Sequence, residues 1–363
     1  MNSIYNKNRF ASKDFKLYKI AKLSPYIASE NVGDAIIADY CQDILTSIFG
    51  NSLYVDISTR DLLSKKSRIH IATSDYSIVC GTNLLASNMN RYRQWNIRIT
   101  DLIKIFLNDM HSVEHSKKLY DLKRIIQKDK LILLGVGWWQ YQETPNTYTK
   151  KLLKLLLHEH DLHSVRDSYT KNMLAAIGIH NVLNTACPTM WGLTENFCKE
   201  IPRVKGKNVI TTFTDYHQSL ADDQLMLDIL TDNYEKVFIW LQSLEDLDYL
   251  KHMKLSDKLI VLPPNLKAYD AQLMDKSESL DYIGTRLHGG IRALNHKVRS
   301  VIIAVDNRAA EIAKDTNLPV ILRNEIGRKL QNWIDRQEET QIILPTDNIN
   351  RWKTQFSRAR KEL

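Results

Sequence analysis

The chain has 363 residues, 44% of them hydrophobic and 25% charged, which is typical of a globular protein with buried cores. Its formal net charge of +8 favours anionic partners, namely phosphorylated small molecules, an anionic membrane surface or nucleic acid. Nucleic acid is the least supported of these and we expect none, because the basic residues are scattered and no nucleic-acid-binding module is recognisable.

Cysteine spacing and apolar segments narrow the class of protein further. None of the four cysteines forms the close pair of a zinc or redox motif, so we expect reduced thiols. Residues 1 to 16 are polar and basic, and no later segment approaches the roughly 20 apolar residues of a membrane-spanning helix. We therefore expect a cytoplasmic protein, with peripheral association at the inner face of the membrane left open.

The first elements are an opening strand, a glycine loop and a helix. Residues 17 to 27 contain the strand, and the loop is Asn31-Val-Gly33-Asp34. Apolar residues then recur at helical spacing as far as Gly50, which ends the helix. Gly33 permits the turn and Asp34 is suited to cap the helix. The loop is either only a turn with a cap, or part of a ligand site.

The next segments are short apolar runs and amphipathic stretches. We predict strands at 69–72, 78–81 and 131–137 and helices at 101–108, 116–127 and 150–158. The run at 131–137 is the clearest of these, because it is continuously apolar and ends in glycine, as a buried parallel strand does. Trp138 and Trp139 follow it. Ordinary packing is favoured for both over a platform for a sugar ring.

Two polar clusters come next. His158, His160 and His163 lack a recognised metal-ligand spacing, so we predict no metal site. Arg166 follows a strand that ends at residue 165, and Asp167 is placed to cap a helix that runs to 177 before Gly178. From the residues alone, Arg166 is as well suited to a salt bridge as to a ligand.

Residues 184 to 207 contain two Pro and two Gly and separate two strand–helix series. We therefore predict two domains, 1–195 and 196–363. In the second, strands are predicted at 208–213, 236–241, 258–262, 282–283 and 300–305, and helices at 218–231, 244–253, 266–274, 290–296, 309–315, 325–339 and 351–363. Such alternation predicts an α/β fold with a mainly parallel sheet in each Rossmann-like domain. We expect the last two helices to pack back across the junction.

The segment 281–294 has the pattern of an anion site. A buried strand ends near Gly284, which permits a sharp turn. Arg286 and His288 lie in that turn, and Gly289 and Gly290 open a helix whose N-terminal N–H groups face outward. Arginine can hold a carboxylate or phosphate bidentately, and histidine exchanges protons near neutrality. The pattern predicts acid catalysis on an anionic substrate, against the alternative of a histidine that only closes the turn.

These segments together resemble a known family. The segments 284–294 and 301–306 resemble the C-terminal signature of the polysaccharide pyruvyl transferases. Residues 31–34 resemble the N-terminal Asn-x-Gly-Asp motif of that family, and residues 165–170 resemble its central Arg-Asp segment. The three occur in family order and span most of the chain. Residues 81–83, Gly-Thr-Asn, depart from the glycine-rich turn of the family, which puts close backbone approach to a ligand there in doubt.

The resemblance implies a GT-B-like pair of domains and transfer of a pyruvyl group. The donor would be phosphoenolpyruvate, and a cyclic ketal would form on two hydroxyls of a sugar in a surface or extracellular polysaccharide, such as a capsule, or in its lipid-linked or polymeric precursor. No cofactor is implied. The alternatives are a glycosyltransferase that uses a nucleotide sugar and a non-catalytic glycan-binding or phosphate-binding relative.

The resemblance also implies roles for residues on both sides of the cleft. His288 would be the general acid, and Arg286 and Arg166 would hold the carboxylate and the phosphate. The other residues expected to bind substrate are Leu287, Gly289 and Gly290 through backbone N–H groups, Asn31, Gly33 and Asp34 on the acceptor side, and Asp306 and Arg308 at a later strand end.

Overall fold

The computed structural model describes residues 17–61, 63–89 and 131–360. The helices predicted at 101–108 and 116–127, and the polar and basic residues 1–16, lie outside the described residues. Within them the chain forms two main parallel sheets with helices packed around both, which confirms the predicted α/β, GT-B-like class with two facing Rossmann-like units.

The N-terminal sheet has four parallel strands in the order β2-β1-β3-β4. The strands are β1 (Lys19–Ser24), β2 (Leu53–Ser58), β3 (Tyr76–Cys80) and β4 (Ile132–Leu134). A bridge between Val136 and Val165 continues the sheet into a parallel pair, β5 (His163–Val165) and β6 (Val182–Asn184). The strand order reverses between β1 and β3, so loops at their carboxyl ends diverge and leave a crevice.

One sequence prediction in this part was wrong, and two strands were not predicted. Residues 69 to 72 lie in a helix, because Ser64 accepts a hydrogen bond from the Ser67 N–H at 3.0 Å and caps it. Strand β2 is half exposed and alternates too weakly to show a buried face, and β6 has only three residues. The helices of this half are α1 (Val32–Phe49), α2 (Lys65–Thr73), α3 (Thr147–Leu156), α4 (Ser168–Ala176) and α5 (Glu195–Cys198).

The C-terminal sheet has six parallel strands in the order β12-β11-β10-β7-β8-β9. This is the dinucleotide-fold order read from the other edge, and it reverses between β7 and β10. The strands are β7 (Asn208–Thr211), β8 (Val237–Trp240), β9 (Leu259–Leu262), β10 (Leu280–Gly284), β11 (Arg299–Ala304) and β12 (Val320–Leu322). Strand β12 was not predicted, because three residues are too few to show a period.

Helices cover both faces of this sheet. They are α6 (Leu220–Asn233), α7 (Leu244–Leu250), α8 (Leu266–Met274), α9 (Leu287–Asn295), α10 (Asn307–Thr316), α11 (Ile326–Asp335) and α12 (Thr346–Thr354). Helix α9 begins three residues before the predicted start, so His288 and both glycines lie inside its first turn. None of the helices in the described ranges is long and apolar enough to cross a membrane.

The two sheets share packing across residues 185 to 207. One buried cluster joins Ile36 of α1 and Met190 of the intervening loop to Trp240 and Tyr282 of the C-terminal sheet. The last helix lies against β5 and β6, where Asn348 donates to the Asn184 carbonyl at 2.9 Å. By contrast, α11 packs on α6 within the C-terminal half. The division at residue 195 stays a prediction.

Trp352 provides a test of how the C-terminal helix is held. Its side chain is fully buried, with ring centroids 6.0 Å from Trp191 and 5.1 Å from Phe356. We expect Trp352→Ala to lower the free energy of unfolding by about 3 kcal/mol, because a large cavity replaces the indole. Urea denaturation followed by circular dichroism measures this. Ile343→Ala is the control, since Ile343 is 68% exposed, and a loss of similar size there would contradict the argument.

Candidate active site

A cleft of about 450 Å³ lies where the carboxyl ends of the two sheets face each other. Its wall comes from loops that follow β1, β2, β3, β4 and β5 of the first half and β7, β10 and β11 of the second. Both points at which the strand order reverses therefore open into it. The polar and aromatic lining residues are Asn31, Asp34, Thr59, Arg60, Thr82, Asn83, Trp139, Arg166, Tyr216, His288 and Arg308.

Arg166 enters the cleft from the end of β5 and is only 2% exposed. Its Nε lies 3.3 Å from Asp167 Oδ2, and its Nη2 donates to Asn83 Oδ1. The space for the guanidinium exists because residue 137 is glycine, where a Cβ would lie 2.1 Å from Arg166 Cζ. Burial lowers the pKa of Arg166 from its usual value, although Asp167 opposes this. An anion beside Arg166 would stabilise its charge.

His288 lies in the first turn of α9, 8% exposed, with its ring in the wall of the cleft. Burial, followed by the cations Arg308 and Arg166, lowers the pKa of His288 to about 3. The imidazole is therefore neutral at pH 7. Arg166 and Arg308 line the same cleft as His288, so the three side chains share one cavity.

Arg308 approaches from α10 on the second sheet. Its Nε donates to Asp306 Oδ2 at 2.7 Å, and its Nη2 donates to the Tyr216 hydroxyl at 2.8 Å. Asp306 caps α10 by accepting from the Arg308 N–H at 2.9 Å. Burial favours the neutral form of Asp306, yet Arg308 holds the pKa of this carboxyl below its usual value. Asp306 therefore orients Arg308, and it is Arg308 that reaches the cleft.

The structure places Arg286 differently from the sequence-based expectation. Its side chain is 5% exposed and forms a buried ion pair: Nη2 lies 2.6 Å from Asp215 Oδ1 and 2.5 Å from Asp246 Oδ1, and Nε donates to the Phe213 carbonyl at 2.7 Å. It is absent from the wall of the cleft. Both carboxylates contact Nη2, so this ion pair ties the turn before α9 to Asp215 and Asp246.

The Asn31 loop also differs in detail. Asn31 caps α1, because its Oδ1 accepts from the Gly33 N–H at 2.9 Å. Asp34, predicted as the cap, instead accepts from Ser29 Oγ at 2.6 Å and pairs with Arg60. Asn31 and Asp34 both line the cleft. Gly33 lies beside Gln242 of the second half, which would be 3.2 Å from a Cβ at this position.

The glycines of 284–290 serve close packing and not a sharp turn. A Cβ at Gly284 would lie 2.4 Å from Thr212 Oγ1, and one at Gly290 would lie 2.4 Å from Ile302 Cγ1. The side chain of Leu287 is buried in the core, and the Gly289 carbonyl accepts from the Tyr269 hydroxyl at 2.8 Å. The side chain of the N-cap residue, Arg286, makes no capping hydrogen bond to α9.

Sequence reasoning did not assign six of these polar and aromatic wall residues to the site. Thr59 and Arg60 follow β2, Thr82 and Asn83 follow β3, Trp139 follows β4, and Tyr216 lies in a 3-10 turn after β7. Tyr216 also covers Arg286, whose Cζ is 5.1 Å from the ring centroid. Correct placement of β2 would have pointed to Arg60. Trp138 is fully buried, as the packing interpretation expected, whereas Trp139 is partly exposed to the cleft.

The charges of the wall suit an anion. Three arginines and one aspartate line the cleft, and that aspartate is paired with Arg60. Within the described part of the chain, Nη1 of Arg166 and Nη1 of Arg308 make no hydrogen bond. These two nitrogens are therefore free to bind a phosphorylated or carboxylated small molecule next to His288.

No group of three or more metal-ligating side chains occurs among residues 17–61, 63–89 and 131–360. Of the three clustered histidines, His163 is fully buried with its Nε2 2.9 Å from the His158 carbonyl and its Nδ1 accepting from the Leu133 N–H at 3.3 Å. Burial lowers the pKa of His163 to about 4. This ring serves the core.

A family model described as polysaccharide pyruvyl transferase matches residues 31–307, which include Asn31, Arg166 and His288 and stop just before Arg308. No curated protein matches the chain. Among solved structures, the crystal structure of UDP-N-acetylglucosamine 2-epimerase matches with 11% identity and a TM-score of 0.42, over 96% of this chain and 95% of that one.

Proposed function

The chain belongs to the polysaccharide pyruvyl transferase family, and from that premise we propose that it uses phosphoenolpyruvate to form a pyruvate ketal on a sugar. The observation that carries the proposal is the convergence of Arg166, Arg308 and His288 in one cleft. Phosphoenolpyruvate is a small molecule with a phosphate and a carboxylate, so two separate cationic groups beside a proton donor match its chemistry.

Donor binding uses the two unpaired Nη1 groups. Arg166 and Arg308 hold the phosphate and the carboxylate between them, and the first N–H groups of α9 supply further donors. Arg286 was expected from the sequence to contact the donor. It acts indirectly, because its ion pair with Asp215 and Asp246 holds the turn before α9.

His288 moves the protons of the reaction. It donates a proton to the methylene carbon of the donor, and the adjacent carbon accepts the oxygen of a first sugar hydroxyl, whose proton returns to His288. The bond from that carbon to the phosphate oxygen then breaks, and phosphate leaves with the electron pair. A second sugar hydroxyl adds at the same carbon and gives its proton to the departing phosphate. The methylene has become the methyl group of a cyclic ketal.

Donor binding itself prepares His288 to act as an acid. In the empty cleft, burial and the two arginines keep its pKa at about 3. The negative charges of a bound donor neutralise Arg166 and Arg308 and raise that pKa, because an adjacent anion favours imidazolium. His288 therefore takes up a proton when the donor binds and holds it next to the methylene carbon.

The acceptor sugar lies toward the first half of the chain. Asn31, Thr59 and Arg60 provide hydrogen-bonding groups there, and Trp139 offers a partly exposed aromatic face. The sugar belongs to a surface or extracellular polysaccharide or to its precursor, whether lipid-linked or polymeric, and we propose that transfer occurs in the cytoplasm, at the inner face of the membrane for a lipid-linked acceptor. No cofactor or metal takes part in the steps above.

Incubation with phosphoenolpyruvate and a panel of glycosides tests the proposal. We expect release of inorganic phosphate only when a suitable glycoside is present, together with the mass gain of one pyruvyl group on that glycoside. Phosphate assay and mass spectrometry measure the two. Phosphate release without any mass gain would contradict the transfer, since it would indicate hydrolysis of the donor.

Thermal unfolding separates the two alternatives. Phosphoenolpyruvate at about 100 times its Kd should stabilise the fold by about 2.7 kcal/mol, whereas nucleotide sugars should not. Protection by a nucleotide sugar alone would favour a glycosyltransferase. Protection by phosphoenolpyruvate without phosphate release from any glycoside would favour a non-catalytic binding protein.

A further inference from the structure

A buried cysteine touches the histidine of the cleft from the other half of the chain. Cys187 lies in the loop after β6, is 2% exposed and has its Sγ 3.7 Å from His288 Nε2. The two residues are 101 positions apart in the sequence. Cys187 belongs to none of the sequence motifs discussed above.

The loop holds this sulfur in place by several contacts. Thr189 Oγ1 donates to Cys187 Sγ at 3.1 Å, and Asn295 of α9 donates to the Thr189 carbonyl at 3.0 Å. The Pro188 ring fills the space beside Gly135, where a Cβ would lie 2.0 Å from Pro188 Cδ. The thiol is therefore fixed relative to the helix that bears the histidine.

The other ring nitrogen of His288 is in a different position. Within the described residues Nδ1 makes no hydrogen bond, and it is not buried away from solvent either. His288 lines the cleft, so Nδ1 is the nitrogen open to a bound molecule. The two nitrogens are thus unequal, one in contact with protein and the other available for chemistry.

We propose that Cys187 is a positioning residue that holds Nε2 of His288 and so directs proton exchange through Nδ1, an inference that rests on the proposed function. A thiol is both a weak donor and a weak acceptor. Its sulfur accepts from Nε2–H in both the neutral and the charged ring, so the proton that His288 takes up and gives away is carried by Nδ1. Thr189 Oγ1 donates to the second lone pair of the same sulfur. Cys187 therefore keeps its hydrogen bond to the His288 ring in both protonation states of that ring.

The thiol is suited to stay protonated in this place. Burial raises the pKa of Cys187, although Thr189 opposes this. A thiolate would hold the ring permanently as imidazolium, whereas a neutral thiol lets the charge on His288 follow the donor. The contact therefore orients the ring without fixing its charge.

Kinetics of Cys187 variants test the role. Cys187→Ala should lower kcat about 10-fold and shift the pH profile of kcat, as loss of the partner that orients a functional histidine does, while KM for phosphoenolpyruvate stays within about twofold. Cys187→Ser, which keeps a donor and an acceptor, should recover most of kcat. The matched control is Cys198→Ala, because Cys198 is also buried but donates to the Leu193 carbonyl at 3.6 Å, away from the cleft.

Nitrogen-15 NMR of the histidines, without donor, tests the same point independently of activity. The His288 signals, identified by their absence in His288→Gln, should show protonated Nε2 and unprotonated Nδ1, and Cys187→Ala should mix the two tautomers. An unprotonated Nε2 with protonated Nδ1 in the wild type would overturn the proposal. An unchanged kcat and an unchanged tautomer in Cys187→Ala would also overturn it. A rise in KM without a fall in kcat would do the same. A wild type inactive with phosphoenolpyruvate would refute the proposed function, yet the tautomer would still decide this inference.

Discussion

Replacement of His288 by Gln should lower turnover with phosphoenolpyruvate by about 1,000-fold, in the middle of the range for loss of a general acid–base group. The methylene carbon then has no proton donor, while Arg166 and Arg308 still hold the donor anion. Glutamine has a similar volume to histidine, so the first turn of α9 remains packed. Initial rates of phosphate release measure the loss.

Two controls accompany the His288 variant. Protection from thermal unfolding by phosphoenolpyruvate should persist, which separates a lost proton donor from a lost binding site. His180→Gln, at an exposed histidine outside the cleft, should leave the rate unchanged. If His288→Gln kept more than a tenth of the wild-type rate with normal donor binding, His288 would not be the general acid.

The second large effect is expected from Gly137→Ala. The added methyl group would lie 2.1 Å from Arg166 Cζ and 2.2 Å from Arg166 Nε, so the guanidinium has to leave its site. It then loses Asn83 and Asp167 and no longer faces the donor. We expect the Kd for phosphoenolpyruvate to rise about 10- to 100-fold, as loss of a charge-assisted hydrogen bond of about 1.5 to 3 kcal/mol predicts. Equilibrium titration with the donor measures it.

A second glycine supplies the control for this substitution. Gly192→Ala places its methyl group 3.5 Å from Asn295 Oδ1, an ordinary contact, so donor affinity should not change. Arg166→Lys should weaken donor binding to a similar degree as Gly137→Ala, because lysine lacks the planar fork. Wild-type affinity in Gly137→Ala would mean that Arg166 is not a donor ligand.

Local patterns in the sequence were sufficient for most of the architecture. The apolar runs predicted nine of the twelve strands in or near their places, because a buried parallel strand needs continuous apolar side chains that any neighbour can cover. Strands β2, β6 and β12 were not predicted and α2 was assigned as a strand, because short or half-exposed segments carry too little periodicity. Asp167 caps α4 as predicted, accepting from the Thr170 N–H at 2.7 Å, since capping depends only on neighbours in the chain.

The roles of the arginines could not be predicted in the same way. Arg286 and Arg308 both follow strands and both precede or begin helices, so their local patterns are alike. Strand order separates them, because the loops after β7 and β8 bring Asp215 and Asp246, 71 and 40 residues away, against Arg286. The same geometry leaves Arg308 beside the cleft, where Asp306 is its acidic partner among the residues that the structure describes.

The sequence by itself thus determined the α/β class, the family and the segment that bears His288, all of which depend on short-range patterns of residues. Only the tertiary structure decided which side chains meet at that histidine. Arg166 and Cys187 reach it from the first half of the chain, and Gly137 provides the space for Arg166. These contacts depend on the distance and direction between two separately folded sheets, which no local period of the sequence specifies.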